Sequence, residues 1–171
     1  MNPIKVGLLG IGTVGSGVFQ VLRRNQEEIR RRAGRGIEIA MVADLQVERA
    51  KSLVGPGVEV VNDARQVIDR PDIDIVVELI GGYGVAKTMV MAAIESGKHV
   101  VTANKALLAK HGSSLVALAE ENDKALNFEA SVAGGIPIVK TLRESLAANH
   151  VARVSGILNG TCNYILSRME L

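Results

Sequence analysis

Gly10, Gly12 and Gly15 stand in the spacing G-x-G-x-x-G, between the apolar run Ile4–Leu9 and a helix-patterned stretch that opens at Thr13. A strand that turns at once into a helix leaves the first-turn N–H groups without backbone partners, and those groups favour an anion such as a pyrophosphate. Each glycine answers a separate demand. Gly10 permits the tight turn, Gly12 lets a pyrophosphate approach the backbone, and Gly15 lets the helix pack close to the sheet. The amides around Thr13 and Val14 would face the phosphates. The pattern predicts a dinucleotide-binding loop; a plain structural turn is the alternative. Asp44 closes the second apolar run and is the candidate for the adenosine ribose, though it lies further along than the ~20 residues usual for this role. A carboxylate there favours the free 2′-hydroxyl of NAD and repels a 2′-phosphate, while Arg49 and Lys51 could pair with that phosphate. Asp44 could also cap the helix that follows.

Two later segments belong to the same edge if the strands are parallel. Glu78–Gly84 carries Gly81, Gly82 and Gly84, which keep side chains away from whatever lies above; Ile80 and Gly81 would approach the cofactor. A plain turn is the alternative here as well. Thr102, Ala103, Asn104 and Lys105 leave the next strand. A lysine at a strand's carboxyl end can hold a carboxylate, polarise a carbonyl or move a proton, so Lys105 is the catalytic candidate. His99 begins its strand, at the far end, and reads as structural. His111 and His150 show no metal-ligand spacing. Cys162 follows the Gly160–Thr161 turn at a helix start, where a thiol could be activated as a nucleophile for a semialdehyde dehydrogenase; no histidine adjoins it in the sequence.

These residues need a frame. Candidate strands are Ile4–Leu9, Ile37–Ala43, Val58–Val61, Ile73–Ile80, His99–Thr102, Ala125–Ala130 and Val151–Ile157. Candidate helices are Thr13 to about Arg32, Val47–Leu53, Ala64–Ile68, Val85–Ser96, Lys105–Lys110, Ser114–Asn122, Ile136–Ala147 and Thr161–Met169, with Gly112 dividing two of them. Strands alternating with helices imply right-handed crossovers. The expected class is α/β: a doubly wound, mainly parallel Rossmann-type sheet over residues 1–149, with the beginning of a second α+β domain over 150–171. The last pattern stops inside a helix, so a piece of a longer chain is expected.

Composition narrows the classes. The 171 residues are 47% hydrophobic and 22% charged, enough to build a core and too apolar for a disordered chain. Two Phe, two Tyr and no Trp make a poor platform for single-stranded nucleic acid. A net charge of +2 gives no general argument for a polyanion, so no nucleic-acid partner is expected. Arg23, Arg24, Arg30, Arg31, Arg32 and Arg35 crowd one stretch and read as a solvated helix end. A single cysteine excludes an internal disulfide. No apolar run approaches the ~18 residues of a membrane span, and no signal-peptide core opens the chain. A cytoplasmic protein with no membrane partner is expected.

The segments GLLGIGTVGSGV (7–18), VVELIGG (76–82), VVTANKALLAKHG (100–112), FEASVAGGIPIVKTLRESL (128–146) and GILNGTCNYILSRM (156–169) together resemble homoserine dehydrogenase, in order and over essentially the whole chain. The resemblance implies an NADP- or NAD-dependent interconversion of L-homoserine and L-aspartate 4-semialdehyde, on the threonine and methionine branch of aspartate metabolism. It implies Lys105 at the substrate and nicotinamide site. It also implies a monovalent cation, sodium, held by Glu129 and the carbonyls of Val132, Gly134 and Ile136. Many members carry a basic residue before the second-strand aspartate, where this chain has Ala43; NAD or dual use is then expected. The family's substrate carboxylates and second lysine would lie beyond residue 171, and a homo-oligomer, dimer or tetramer, would form in the full-length protein. Two other readings stay open. One is a different dinucleotide dehydrogenase, in which GKHV is followed by glutamate-lysine-proline. The other is a nucleotide-sensing module without chemistry.

Overall fold

The computed structural model describes residues 2–156 and 159–170. One compact unit ends at Phe128 and a second begins at Glu129; the sequence alone set a domain boundary at 149/150.

In the first unit six parallel strands form one sheet in the order β3-β2-β1-β4-β5-β6. They are β1 (Ile4–Leu9), β2 (Ile37–Ala43), β3 (Glu59–Val61), β4 (Ile75–Glu78), β5 (His99–Thr102) and β6 (Leu126–Asn127). The helices between them are α1 (Thr13–Arg24), α2 (Gln26–Ala33), α3 (Val47–Val54), α4 (Ala64–Asp69), α5 (Gly84–Glu95) and α6 (Lys105–Glu121). The strand order reverses between β1 and β4. Such a switch point leaves a crevice outside the carboxyl ends of the strands, where ligands of open α/β sheets bind.

The period of two along each strand builds a core on each face. Leu8 and Val42 point to one side, where they join Phe19 of α1 and Ala50 and Val54 of α3. Leu9, Met41, Val76 and Val100 point to the other, against α4, α5 and α6. Strands buried on both sides explain why β4 reads as a nearly unbroken apolar run.

Three local expectations are corrected. The first helix breaks at Asn25, whose backbone is not helical (φ −103°, ψ 23°) and which ends α1 and opens α2. Gln26 donates from Nε2 to the carbonyls of Leu22 and Ile37, tying the break to the start of β2. Gly112 divides nothing. α6 runs through it, because one interior glycine costs only about 1 kcal/mol while Leu107, Leu115 and Ala119 bury one face of the helix. The predicted strand Ala125–Ala130 shrinks to Leu126–Asn127, and the chain then coils into a 3-10 turn at Glu129–Ser131.

In the second unit, α7 (Ile138–Lys140) widens into a π-turn over Thr141–Ser145, and α8 covers Gly160–Met169. The predicted strand Val151–Ile157 is absent over residues 151–156, and Ile157 lies outside the described residues. Among the described residues no helix is long and apolar enough to cross a membrane.

At the amino end of the sheet, Asp72 accepts from Arg70 Nε at 2.6 Å and from Lys5 Nζ at 2.7 Å. Arg70 first, then Lys5, holds the Asp72 carboxyl well below the usual carboxylate range. A depressed folded value means a contribution present above the unfolded pKa of about 3.9 and lost as the pH falls through the folded value. Asp72→Asn is therefore expected to lower the thermal midpoint slightly at pH 7. The difference from wild type should shrink below about pH 4. Thermal melts across that range check this; a difference that grows on acidification would contradict it.

Candidate functional site

The crevice at the switch point is a cleft of about 700 Å³, lined by Gly10, Gly12, Ala43, Asp44, Leu45, Arg49, Asn62, Asp63, Leu79, Ile80, Val85 and Met89 among others. It brings together five of the candidate binding residues singled out in the sequence: Gly10, Gly12, Asp44, Arg49 and Ile80. Within the glycine loop, Gly10 and Gly15 leave no room for a side chain. Gly10 has φ +91°, and a Cβ there would sit 2.8 Å from the Leu79 carbonyl oxygen. A Cβ on Gly15 would come within 2.2 Å of the Gly10 carbonyl oxygen. The close packing at Gly15 is thus of helix against loop. Gly12 faces open space, with nothing within 4 Å of a Cβ. Gly12 is also the N-cap of α1, and no side chain caps that helix end. Thr13 and Val14 are exposed on its first turn.

Asp44 does more than end β2. Its Oδ2 accepts from the Ile11 amide at 2.8 Å and its Oδ1 from the Gln46 amide at 2.8 Å. The carboxylate thereby pins the glycine loop to the β2 end. It does not cap α3, whose N-cap is Gln46. Arg49 lines the cleft, whereas Lys51 pairs with Glu48 at 2.8 Å. Leu45, missed in the sequence, is 90% exposed at the lip and offers an apolar surface to a flat base.

A second group joins the ends of β4 and β5. Glu78 is fully buried and stands in register with Thr102 on the neighbouring strand. Its Oε1 accepts from the Ile80 amide at 2.8 Å, and its Oε2 from the Thr102 hydroxyl at 2.6 Å. Thr102 Oγ1 in turn accepts from the Asn104 amide at 3.0 Å. The Asn104 side chain donates to the Gly82 carbonyl and accepts from the Leu107 amide at 3.1 Å, capping α6. Gly81 and Gly82 have φ +83° and +66°, so this turn suits glycine. Thr102 is fully buried, and its side chain faces the interior. Lys105 is the first residue of α6 and is exposed. Thr13, Val14, Gly15, Gly81, Thr102 and Lys105 do not line the 700 Å³ cleft. Glu78 carried a legible signal: an acid inside an otherwise apolar strand is buried only with partners.

His99 accepts from the Ala125 amide through Nδ1 at 3.0 Å, a structural role. Lys110 lies over the Tyr83 ring, 3.8 Å from its centroid, with His111 tilted against the same ring. Cys162 is exposed, and its amide donates to the Asn159 side chain at 3.0 Å. In the second unit, Glu129 accepts from the amides of Val139 at 2.9 Å and Lys140 at 2.8 Å. Ala133 and Gly134, at φ +55° and +59°, bend the chain between Val132 and Ile136. Among the described residues no group of three or more His, Cys, Asp or Glu is placed to hold a metal.

The cleft suits a dinucleotide on its own terms. It combines an uncapped helix start, a glycine with free space over it, a fixed carboxylate and an apolar lip.

Comparison with known proteins agrees. The family model "Homoserine dehydrogenase, NAD binding domain" matches residues 10–129, and the model "Homoserine dehydrogenase" matches residues 137–171. A homoserine dehydrogenase of Neisseria gonorrhoeae is 53% identical over 170 residues, covering 99% of this chain and 39% of that protein. One from Bacillus subtilis is 44% identical over 169 residues, again covering 99% and 39%. The crystal structure of a homoserine dehydrogenase from Thiobacillus denitrificans superposes with TM-score 0.93 at 54% identity, over 99% of this chain and 39% of that one. A hyperthermophilic archaeal homoserine dehydrogenase solved with NADPH shares the fold, with TM-score 0.78 at 24% identity over 98% of this chain and 56% of its own. The chain spans about 39% of the length of the bacterial relatives it matches. It belongs to the homoserine dehydrogenase family, and residues 10–129 match the family's NAD-binding domain.

Proposed function

We propose that this chain is the cofactor-binding part of an oxidoreductase that interconverts L-homoserine and L-aspartate 4-semialdehyde. The observation that carries the reading is the cleft at the switch point, lined by Gly10, Gly12 and Asp44, in a chain that matches this family along its length. When bound, a nicotinamide dinucleotide supplies the hydride acceptor or donor. The chain's own residues bind and orient it. The first-turn amides of α1 hold the pyrophosphate, Asp44 holds the adenosine ribose, and Leu45 and Ile80 cover apolar surface. Lys105 holds the substrate oxygen or carboxylate and steadies the charge that develops as the hydroxyl proton leaves. Residues from about 150 onward would open the substrate part of the protein; the second family match, at 137–171, begins earlier. The assembled enzyme would be a cytoplasmic homo-oligomer acting on a small-molecule substrate.

Asp44 disfavours a 2′-phosphate, while Arg49 on the same wall favours one, so NAD or dual use is the proposed preference. A sodium ion is the second proposed ligand. Its donors would be the Glu129 carboxylate and the carbonyls of Val132, Gly134 and Ile136. All are oxygens, the ligand class a hard cation takes. The Ile136 carbonyl accepts from the Ile138 amide at 2.8 Å, and both Glu129 oxygens accept backbone amides, so a cation would share these oxygens with those donors.

The test has two arms. Titration of this chain with NADH and NADPH is expected to show binding of NADH at least comparable to that of NADPH. A protein extended to the family's full length is expected to oxidise homoserine, and to melt higher in sodium than in choline chloride. Absence of dinucleotide binding, or dinucleotide binding with no homoserine oxidation at full length, would overturn the reading.

A further inference from the structure

Glu78 is a carboxylate with no exposed surface, at the end of the strand that borders the switch point. Moving a charge out of water is costly unless its oxygens are well partnered. An apolar residue would fit the rest of β4, so this carboxylate needs a reason. Its two partners suggest one. Oε1 holds the Ile80 amide on the loop after β4. Oε2 holds the Thr102 hydroxyl on β5, and through it the Asn104 amide. Asn104 closes the ring by donating to Gly82 on the first loop, while its Oδ1 caps α6 next to Lys105. One buried acid therefore ties together the two loops on which Ile80, Gly81 and Lys105 stand. The adenosine side is built otherwise, from Gly10–Gly15 and Asp44, and none of those residues is hydrogen-bonded to Glu78 among the described residues.

We propose that Glu78 is a positioning residue for the nicotinamide half of the cofactor. Directly at Ile80, and through Thr102 and Asn104 beyond it, Glu78 sets the Ile80–Gly82 backbone and the start of α6 where Lys105 stands, while Asp44 and the Ile11 amide are fixed to each other by a separate bond. This rests on the dinucleotide reading above. The acceptor-only chemistry matters. Two donors, an N–H and an O–H, converge on the two oxygens, and glutamine would turn an NH₂ toward one of them.

The experiment separates the two halves. The chain and its variants E78Q, T102V and T102S are titrated with NADH and ADP-ribose, or with NADPH and 2′-phospho-ADP-ribose if that dinucleotide binds more tightly. Wild type is expected to bind the complete dinucleotide more tightly than the matched ADP-ribose. E78Q and T102V are expected to weaken dinucleotide binding about tenfold, the scale of one lost charge-assisted hydrogen bond. Their affinity for the ADP-ribose ligand should stay within about twofold. T102S keeps the hydroxyl and should restore wild-type behaviour. Equal loss of both ligands would mean a merely structural role and would overturn the proposal; so would no change in either. If E78Q does not fold, the T102V and T102S pair decides. Wild type binding both ligands equally would contradict the positioning role while sparing the adenosine site. Wild type binding neither would remove the dinucleotide reading itself.

Discussion

Gly15→Ala is expected to weaken dinucleotide binding by about 10- to 100-fold. The added Cβ would lie 2.2 Å from the Gly10 carbonyl oxygen, and the atom it meets is backbone. Either α1 must retreat or the loop must move, and both displace the amides proposed to face the pyrophosphate. Overpacking of this kind costs about 1–3 kcal/mol. Gly17, two residues on in the same helix, is the control. A Cβ there meets nothing within 4 Å, so Gly17→Ala should stabilise the helix by roughly 0.5–1 kcal/mol and leave binding unchanged. Titration calorimetry beside thermal melts separates the two. If Gly15→Ala binds NADH and NADPH as wild type does, the loop does not grip the cofactor.

Lys105→Ala, in the protein extended to family length, is expected to lower kcat/KM for homoserine by about 100-fold or more, the lower range for a positioned acid, base or charge. Stability should not fall with it. Lys105 opens α6, where no acidic residue accompanies it in the first turn and the positive end of the helix dipole opposes a cation. A lysine at that place does nothing for the helix, so alanine should match or exceed the wild-type melting point. The combination of lost turnover and kept stability marks a functional lysine. Near-normal kcat/KM would remove Lys105 from the site.

The legible parts of the fold and site were those with short-range physical signatures. The glycine spacing after Ile4–Leu9, the apolar β4 run and the pairing of strand ends at Gly10, Asp44 and Ile80 follow from local pattern and the handedness of crossovers. What stayed hidden depends on contacts distant in sequence. The break at Asn25 is fixed by Gln26 reaching the Ile37 carbonyl. The continuity of α6 through Gly112 comes from burial of Leu107 and Leu115 against the sheet. A helix cap stayed open as the alternative for Asp44 because its partner across the fold, the Ile11 amide, cannot be seen from its neighbours. The inward turn of Thr102 likewise depends on Glu78, 24 residues earlier. The Glu129–Ser131 coil ended a strand that alternation alone would have extended.

The grip of the α1 mouth on a pyrophosphate is tested most directly by amide chemical shifts of this chain during titration with NADH and NADPH. At least one dinucleotide should move the resonances of Ile11 to Gly15 most, followed by those of Gln46 and Ile80–Gly82, with saturation. Saturating amounts of both that leave the amides of Gly12, Thr13, Val14 and Gly15 in place would contradict it.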